Sequence, residues 1–233
     1  MKNLFYFLAA ALLTLGMASC ERPDDNDEPD NQNVPEGYVD LGLPSGLLWA
    51  ECNVGATTPE GYGNFYAWGM VDTVSEYLWE QYSLGDDNGE NDYVLYKYNT
   101  AEWYGTVDNL LTLQASDDVA TQTLGDGARI PTKAEWLELL ENTTSAWTTV
   151  NGVNGRKFTA SNGHSIFLPA AGGMYGSSLD GVGLYGRYWS SSILDSEPLY
   201  AWGMGFFSGY QDVFDGMRDF GRSVRPVRPA SQD

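Results

Sequence analysis

The strongest constraint on this chain is an order. Its helical signatures lie in the first two thirds, and strand-like and glycine-rich segments fill the remainder. In "PTKAEWLELLENT", Thr132 and Glu135 form a capping box, and Trp136, Leu139 and Leu140 share one face. In "SDDVATQTLG", Ser116 opens a second helix, Asp117 and Asp118 suit its first turn, and Gly125 ends it. Both helices are expected to pack on a sheet, with their carboxylates as caps and surface charges. Strands are predicted in "YVDLGLPSGLLWAECNVG", split by a turn at Pro44-Ser45-Gly46, and in "GNFYAWGMV", "AWTTV", "RKFTAS" and "HSIFLPAAG". Asn151-Gly152 and Asn154-Gly155 read as turns, and residues 75 to 112 as irregular chain. Helices first and strands later give an α+β class, not alternating βαβ units, and no repeat of fixed period appears.

A chain of 233 residues with 42% hydrophobic content supports one domain with a real core. Thirty-two acidic residues against 12 basic ones give a net charge of −20, which disfavours nucleic acid and anionic membranes as partners. Serine-hydrolase, zinc-protease and phosphate-loop motifs are absent, so no catalytic residue and no cofactor is expected. Carboxylate-only chemistry stays open, because its two acids need not be close in sequence. The single histidine, His164, follows Asn162-Gly163 and is expected at a loop edge. The acidic stretch "GDDNGEND" (85–92) departs from the calcium-loop spacing and is expected to be a solvated loop, with no metal. The two cysteines, Cys20 and Cys52, are expected to stay unpaired, Cys52 as a small buried hydrophobe.

Residues 1–19 read as a secretory signal: Lys2, then the apolar run "LFYFLAAALLTLGMA". Cys20 directly after "GMAS" resembles the bacterial lipobox, with Met17 where leucine is usual. That resemblance implies a lipid on Cys20 and an outer-membrane lipoprotein. Residues 20–36, acidic and rich in proline and asparagine, bury too little to fold and are predicted to be a flexible tether. The acids after Cys20 resemble the surface-export signal of lipoproteins in the Bacteroidetes group. The folded domain is placed at 37–229.

The C-terminal stretch of the chain mixes two textures. "YWSSS", "AWGMGF" and "SVRPVR" read as frame, with heterogeneous residues between them. In "AWGMGFF", strand alternation predicts Trp202, Met204 and Phe206 inside and Gly203, Gly205 and Phe207 outside.

Four blocks, "YVDLGLPSGLLWAECNVGATTPEGYGNFYAWG", "RIPTKAEWLELL", "GHSIFLPAAG" and "YWSSS…SVRPVR", resemble the fibrobacter succinogenes major paralogous domain family, from Tyr38 to Arg228. The resemblance implies a C-type lectin-like fold of the sulfatase-modifying-factor (formylglycine-generating-enzyme) variety. That fold has two helices packed on a mixed, mostly antiparallel sheet, with a long loop-rich C-terminal region carrying the ligand face. The C-terminal block also resembles the variable proteins of diversity-generating retroelements of gut bacteria, in which mutagenesis changes chosen codons and leaves the frame. It implies a variable region at 184–222 whose variable positions are Tyr185, Arg187, Leu194, Asp195, Glu197, Leu199, Tyr200, Gly203, Gly205, Phe207, Tyr210, Asp212, Phe214, Asp215, Gly216, Asp219, Phe220 and Arg222, all but Gly216 expected to bind ligand. The cysteines of formylglycine-generating enzymes and the calcium motifs of lectins are not matched, so neither activity carries over. The expectation is a surface-displayed, non-enzymatic lipoprotein binding a protein or glycan on another cell, a phage or the host. A glycan-capturing or carbohydrate-active protein and a structural surface subunit are the alternatives.

Overall fold

In the computed structural model, which describes residues 34–89, 92–125 and 127–230, the chain opens and closes in one small sheet. Strands β1 (Tyr38–Asp40) and β2 (Leu47–Ala50) pair antiparallel around the expected turn. Gly46 takes φ 67° there, and its N–H donates to Leu43 O at 2.9 Å. The stretch predicted to be irregular contains a short hairpin of β3 (Gly85–Asp87) and β4 (Tyr93–Leu95). The acidic segment is therefore half strand rather than solvated loop over its described residues.

Helix α1 (Val119–Leu124) starts later than the sequence suggests, because Asp118 and not Ser116 caps it. One Asp118 oxygen accepts from Thr121 N–H (3.1 Å) and the other from Ile130 N–H (2.8 Å), a double role the serine hydroxyl does not match. Val119 and Ala120 bury against Val54, Tyr66, Ile130 and Val224, which lie in connecting segments, so α1 does not pack on a sheet as expected. Helix α2 (Lys133–Asn142) keeps its predicted capping box. Glu138, expected as a surface charge, instead accepts from Ser45 N–H and Oγ (2.7 and 2.6 Å) and ties α2 to the β1–β2 turn.

A meander follows: β5 (Thr143–Val150), β6 (Val153–Ala160) and β7 (Ser165–Pro169). Asn151 and Gly152 make its first turn at φ 48° and 84°. Asn154-Gly155 is not a turn; both residues pair within β6. Gly155 is needed small there, because a Cβ would strike the Leu168 carbonyl and the Phe167 ring. His164 sits at the β6–β7 turn with Nδ1 2.7 Å from Asp40 O.

A small hairpin, β8 (Gly173–Tyr175) and β9 (Ser178–Asp180), leads to a second three-stranded meander: β10 (Tyr185–Ile193), β11 (Tyr200–Phe207) and β12 (Tyr210–Met217). The last strand, β13 (Val227–Pro229), pairs with the free side of β2. The fold is thus α+β, with two helices and mostly antiparallel sheets. The expected single mixed sheet is replaced by separate antiparallel ladders, and parallel register occurs only in the bridges Gly172–Gly186 and Tyr188–Ser223. "GNFYAWGMV" joins no ladder and turns at Trp68-Gly69, where Met70 N–H donates to Ala67 O at 3.1 Å and Gly69 takes φ 78°. It hangs on the C-terminal segment through Tyr66 N–H to Arg222 O (3.0 Å) and Trp68 N–H to Arg218 O (2.8 Å).

The main core joins β2, α2, β6, β7, β10 and β11 through Trp49, Trp136, Leu139, Phe158, Leu168, Tyr188, Met204 and Phe206. Trp49 and Trp136 meet at 4.8 Å between ring centroids. Each such buried side chain contributes about 1.5–3 kcal/mol of hydrophobic stabilisation. Two arginines are buried with it. Arg225 donates to Asn53 Oδ1 (2.9 Å), Ala50 O (2.9 Å), Phe167 O (3.0 Å) and Glu51 O. Arg218 donates to Tyr82 Oη, Tyr98 O, Pro198 O and Lys97 O and stands over the Trp68, Tyr82 and Tyr98 rings.

Cys52 corrects another expectation: it is a disulfide cysteine, and its partner lies outside the described residues. The expectation of no disulfide rests on the lipobox resemblance at Cys20, since a thiol that carries a lipid cannot also pair. The signal at 1–19, Cys20 and most of the tether also lie outside the described residues. No helix among the described residues is long and apolar enough to cross a membrane.

Candidate functional site

The register of β10, β11 and β12 sorts the C-terminal residues onto two faces, because side chains directly opposite across a ladder share a face. On the inner face, the rows Gly186–Phe206–Gln211 and Tyr188–Met204–Val213 meet α2 and the core. On the outer face lie the rows Tyr185–Phe207–Tyr210, Arg187–Gly205–Asp212 and Trp189–Gly203–Phe214, then Ala201–Gly216. Tyr185, Arg187, Gly203, Gly205, Phe207, Tyr210, Asp212 and Phe214, eight positions expected to bind ligand, are thereby brought to one face together with Gly216, which is expected only to vary.

The open end of that surface is aromatic. Phe207 and Tyr210 are 49% and 46% exposed, with ring centroids 5.9 Å apart. Phe214 follows at 6.0 Å from Tyr210. The Arg187 guanidinium lies 4.9 Å from the Phe214 ring and 5.4 Å from Tyr185, bridging the two. Tyr185 Oη donates to Asp180 Oδ2 at 3.0 Å; burial, and then this carboxylate, push its pKa well above the usual tyrosine range. Asp212 accepts from Tyr210 Oη and Val213 N–H, both at 2.8 Å. The patch therefore offers rings and one guanidinium, with its hydroxyl and carboxylate groups already engaged internally.

The three glycines of this face are buried, contrary to the expectation that Gly203 and Gly205 stand exposed. Their missing side chains are what lets other groups lie flat on the strand. A Cβ at Gly205 would meet Arg187 Nη1 and the Phe214 ring, and one at Gly216 would meet the Arg222 guanidinium. A Cβ at Gly203 would meet Arg222 Nη1 and also the Tyr188 carbonyl oxygen. Trp202, expected inside, is only half-buried, with Lys133 Nζ 3.2 Å above its ring.

Arg222 is 5% exposed and so is no direct ligand contact, despite its place among the expected positions. Its guanidinium carbon sits 4.0 Å from the Trp189 ring, and Nη2 donates to Asp215 O at 3.2 Å. Nε and Nη1 have no partner among the described residues. Burial, and then the charge of Arg187, depress its pKa to about 10, which leaves it charged at neutral pH.

The remaining expected positions do not join the face. Leu194, Asp195 and Glu197 form the β10–β11 connection, where Asp195 O accepts from Thr100 Oγ1 (2.7 Å). Leu199 is buried in a cluster with Tyr77, Trp79 and Tyr82, and Tyr200 packs against it. Asp215 is exposed on the opposite face, cross-strand from Trp202. Phe220 stacks edge-on against Tyr175 at 4.7 Å. Asp219 is 5% exposed with Oδ1 unpartnered, and burial pushes its carboxyl up to about 7. Alternation separates Tyr200 and Asp215, which lie in β11 and β12 on the side of Trp202, but it does not reach Leu194, Asp195, Glu197, Leu199, Asp219 and Phe220, which lie outside the strands. Sequence reasoning also missed Arg218, whose anchoring of the β12 exit holds the loop that carries Arg222.

Among the described residues, no group of three His, Cys, Asp or Glu is placed to hold a metal ion. Comparison with protein-family models, with curated proteins and with solved structures returns no match in any of the three.

Proposed function

We propose that this protein is a surface-displayed, non-enzymatic binding lipoprotein whose ligand, a protein or a glycan, docks on the outer face of β10–β12. The observation that carries the reading is the continuous band of Tyr185, Arg187, Phe214, Tyr210 and Phe207 on a face whose reverse side is locked into the core. Tyrosine, phenylalanine and arginine on a rigid support are the contact chemistry of antibody loops and of interface hot spots. The C-type lectin-like fold and retroelement-driven diversification belong to the same proposal, resting on the sequence resemblance.

Replacing Tyr185, Phe207, Tyr210 and Phe214 together by the residues of another protein with the same frame is expected to redirect ligand choice. The thermal midpoint should move by less than about 4 °C, because Phe207 and Tyr210 are exposed and the half-buried Tyr185 and Phe214 stand outside the main core. A graft that unfolds the domain sinks the division into frame and face. Display is tested through the lipid: labelled palmitate is expected in the wild-type chain and absent from Cys20→Ala. The chain has two cysteines, so a thioether-linked lipid on Cys20 and an intrachain disulfide at Cys52 are alternatives. A wild-type chain that takes up no palmitate removes the anchor from the proposal.

A further inference from the structure

The outer face carries a guanidinium that no carboxylate among the described residues pairs with directly. Among the described residues, Lys97 and Arg129 form ion pairs, with Asp117 and Glu135. Arg187 forms none and makes no hydrogen bond; its contacts are the Tyr185 and Phe214 rings. The buried Arg218 and Arg225, which also have no ion pair, donate instead to carbonyl oxygens and other side-chain oxygens, whereas the Arg187 guanidinium is held by rings alone. Asp212 and Asp180, which neighbour it across the sheet and in the β9 hairpin, are taken by Tyr210 and Tyr185. Arg222 lies deeper on the same glycine floor, with Nε and Nη1 buried and unpartnered. Two guanidinium groups close enough to repel are thus held together by a cross-strand glycine floor and aromatic rings. A buried or half-buried cation without an anion is destabilising until one arrives.

We propose that this face takes the carboxylate of an acidic peptide segment on a partner protein. Arg187 receives the carboxylate, and the rings of Phe207, Tyr210 and Phe214 receive the apolar residues beside it. This rests on the binding function proposed above and names its ligand chemistry. A peptide is favoured over an acidic sugar because sugar rings need several free hydrogen-bonding side chains. Here the Tyr185 and Tyr210 hydroxyls and the Asp212 carboxylate are already engaged. Arginine suits the task because its planar fork meets a carboxylate through two parallel bonds while its face stacks on an aromatic ring.

The test selects a random twelve-residue peptide library on the immobilised full chain and measures each enriched peptide against variants. Selected peptides are expected to carry Asp or Glu next to Trp, Phe or Leu. Replacing that acid by its amide, or Arg187→Met in the protein, is expected to weaken binding about 10- to 100-fold, the range for a charge-assisted hydrogen-bonded pair. Arg187→Lys should restore only a fraction of it. Peptides without an acid, or binding indifferent to Arg187→Met but abolished by Phe207→Ser with Tyr210→Ser, overturn the carboxylate while leaving the binding face intact. Binding unchanged by all of these variants, or a library that yields no binder, overturns both. A polygalacturonate oligosaccharide that binds through Arg187 where peptides do not overturns the peptide assignment.

Discussion

Arg225→Met is expected to lower the free energy of unfolding by about 4 kcal/mol, read as a shift of the urea midpoint with unchanged slope. The side chain is fully buried and has no carboxylate partner; four carbonyl oxygens receive its N–H groups. Three of the four belong to backbone at the end of β2 and just beyond it and in β7, and the fourth is the Asn53 side chain. Methionine keeps the volume and removes every donor, so the loss is the desolvation of acceptors left unpaired, roughly 1–3 kcal/mol for each fully buried group, partly relieved by relaxation and water. The burial of the charge itself works in the opposite direction: it depresses the guanidinium pKa to about 10, and removing the charge returns that contribution. The acceptors outweigh it because there are four of them and they hold separate elements in register. Arg187→Met is the control, expected within about 0.5 kcal/mol of wild type because its guanidinium bonds to nothing in the fold. A shift below about 1 kcal/mol for Arg225→Met would falsify this account of the core.

Gly203→Val is expected to cost about 3 kcal/mol, against less than about 1 kcal/mol for Gly205→Ala two residues along the same strand. Both glycines sit on the outer face and both are covered, but by different things. At Gly205 the obstructing atoms are the end of Arg187 and the Phe214 ring, which can swing into solvent. At Gly203 they are the Tyr188 carbonyl oxygen, fixed in the β10 ladder, and the guanidinium of Arg222, trapped under Trp189. A valine there must push β10 and β11 apart or expel a buried cation. For a domain of this size a cost of about 3 kcal/mol lowers the melting midpoint of Gly203→Val by about 6–12 °C from wild type, measurable by calorimetry. Equal midpoints for the two variants would mean that Gly203 is as replaceable as its neighbours. With the expected result, Gly203 moves from the changeable positions to the frame, and the changeable set shrinks to residues whose neighbours are side-chain ends.

What the sequence made legible was local or periodic. The capping box at Thr132 and Glu135 is four residues long and needs no tertiary information, and it stands as read. Alternation in "AWGMGFF" correctly sends Met204 and Phe206 to the core and Phe207 to solvent. It fails at Gly203 and Gly205 because their cover comes from other segments, and a pattern within one strand carries no record of that. Asp118 and Ser116 are both competent caps, and only the Ile130 N–H waiting across the loop decides between them. Arg225 falls in the frame segment "SVRPVR", yet nothing local in the sequence marks it or Arg218 for burial. Their burial follows from backbone carbonyls converging from distant segments, which one-dimensional reading does not reveal. "GNFYAWGMV" has the composition of a strand, yet the segment is held by C-terminal loop carbonyls and not by a strand partner.

The sheet that opens and closes the chain has a bearing on the outer face of β10–β12. β2 is flanked by residues 38–40 on one side and 227–229 on the other. Arg225, which cross-braces that sheet to β7, arrives just before the final strand. Until residues 227–229 are joined, one edge of β2 stays unfilled. A chain cut anywhere between β10 and β13 lacks both that strand and the Arg225 contact to Phe167 O, so it cannot complete the sheet in which β1 and β2 lie. Integrity of the outer face and completion of this distant sheet are thereby coupled.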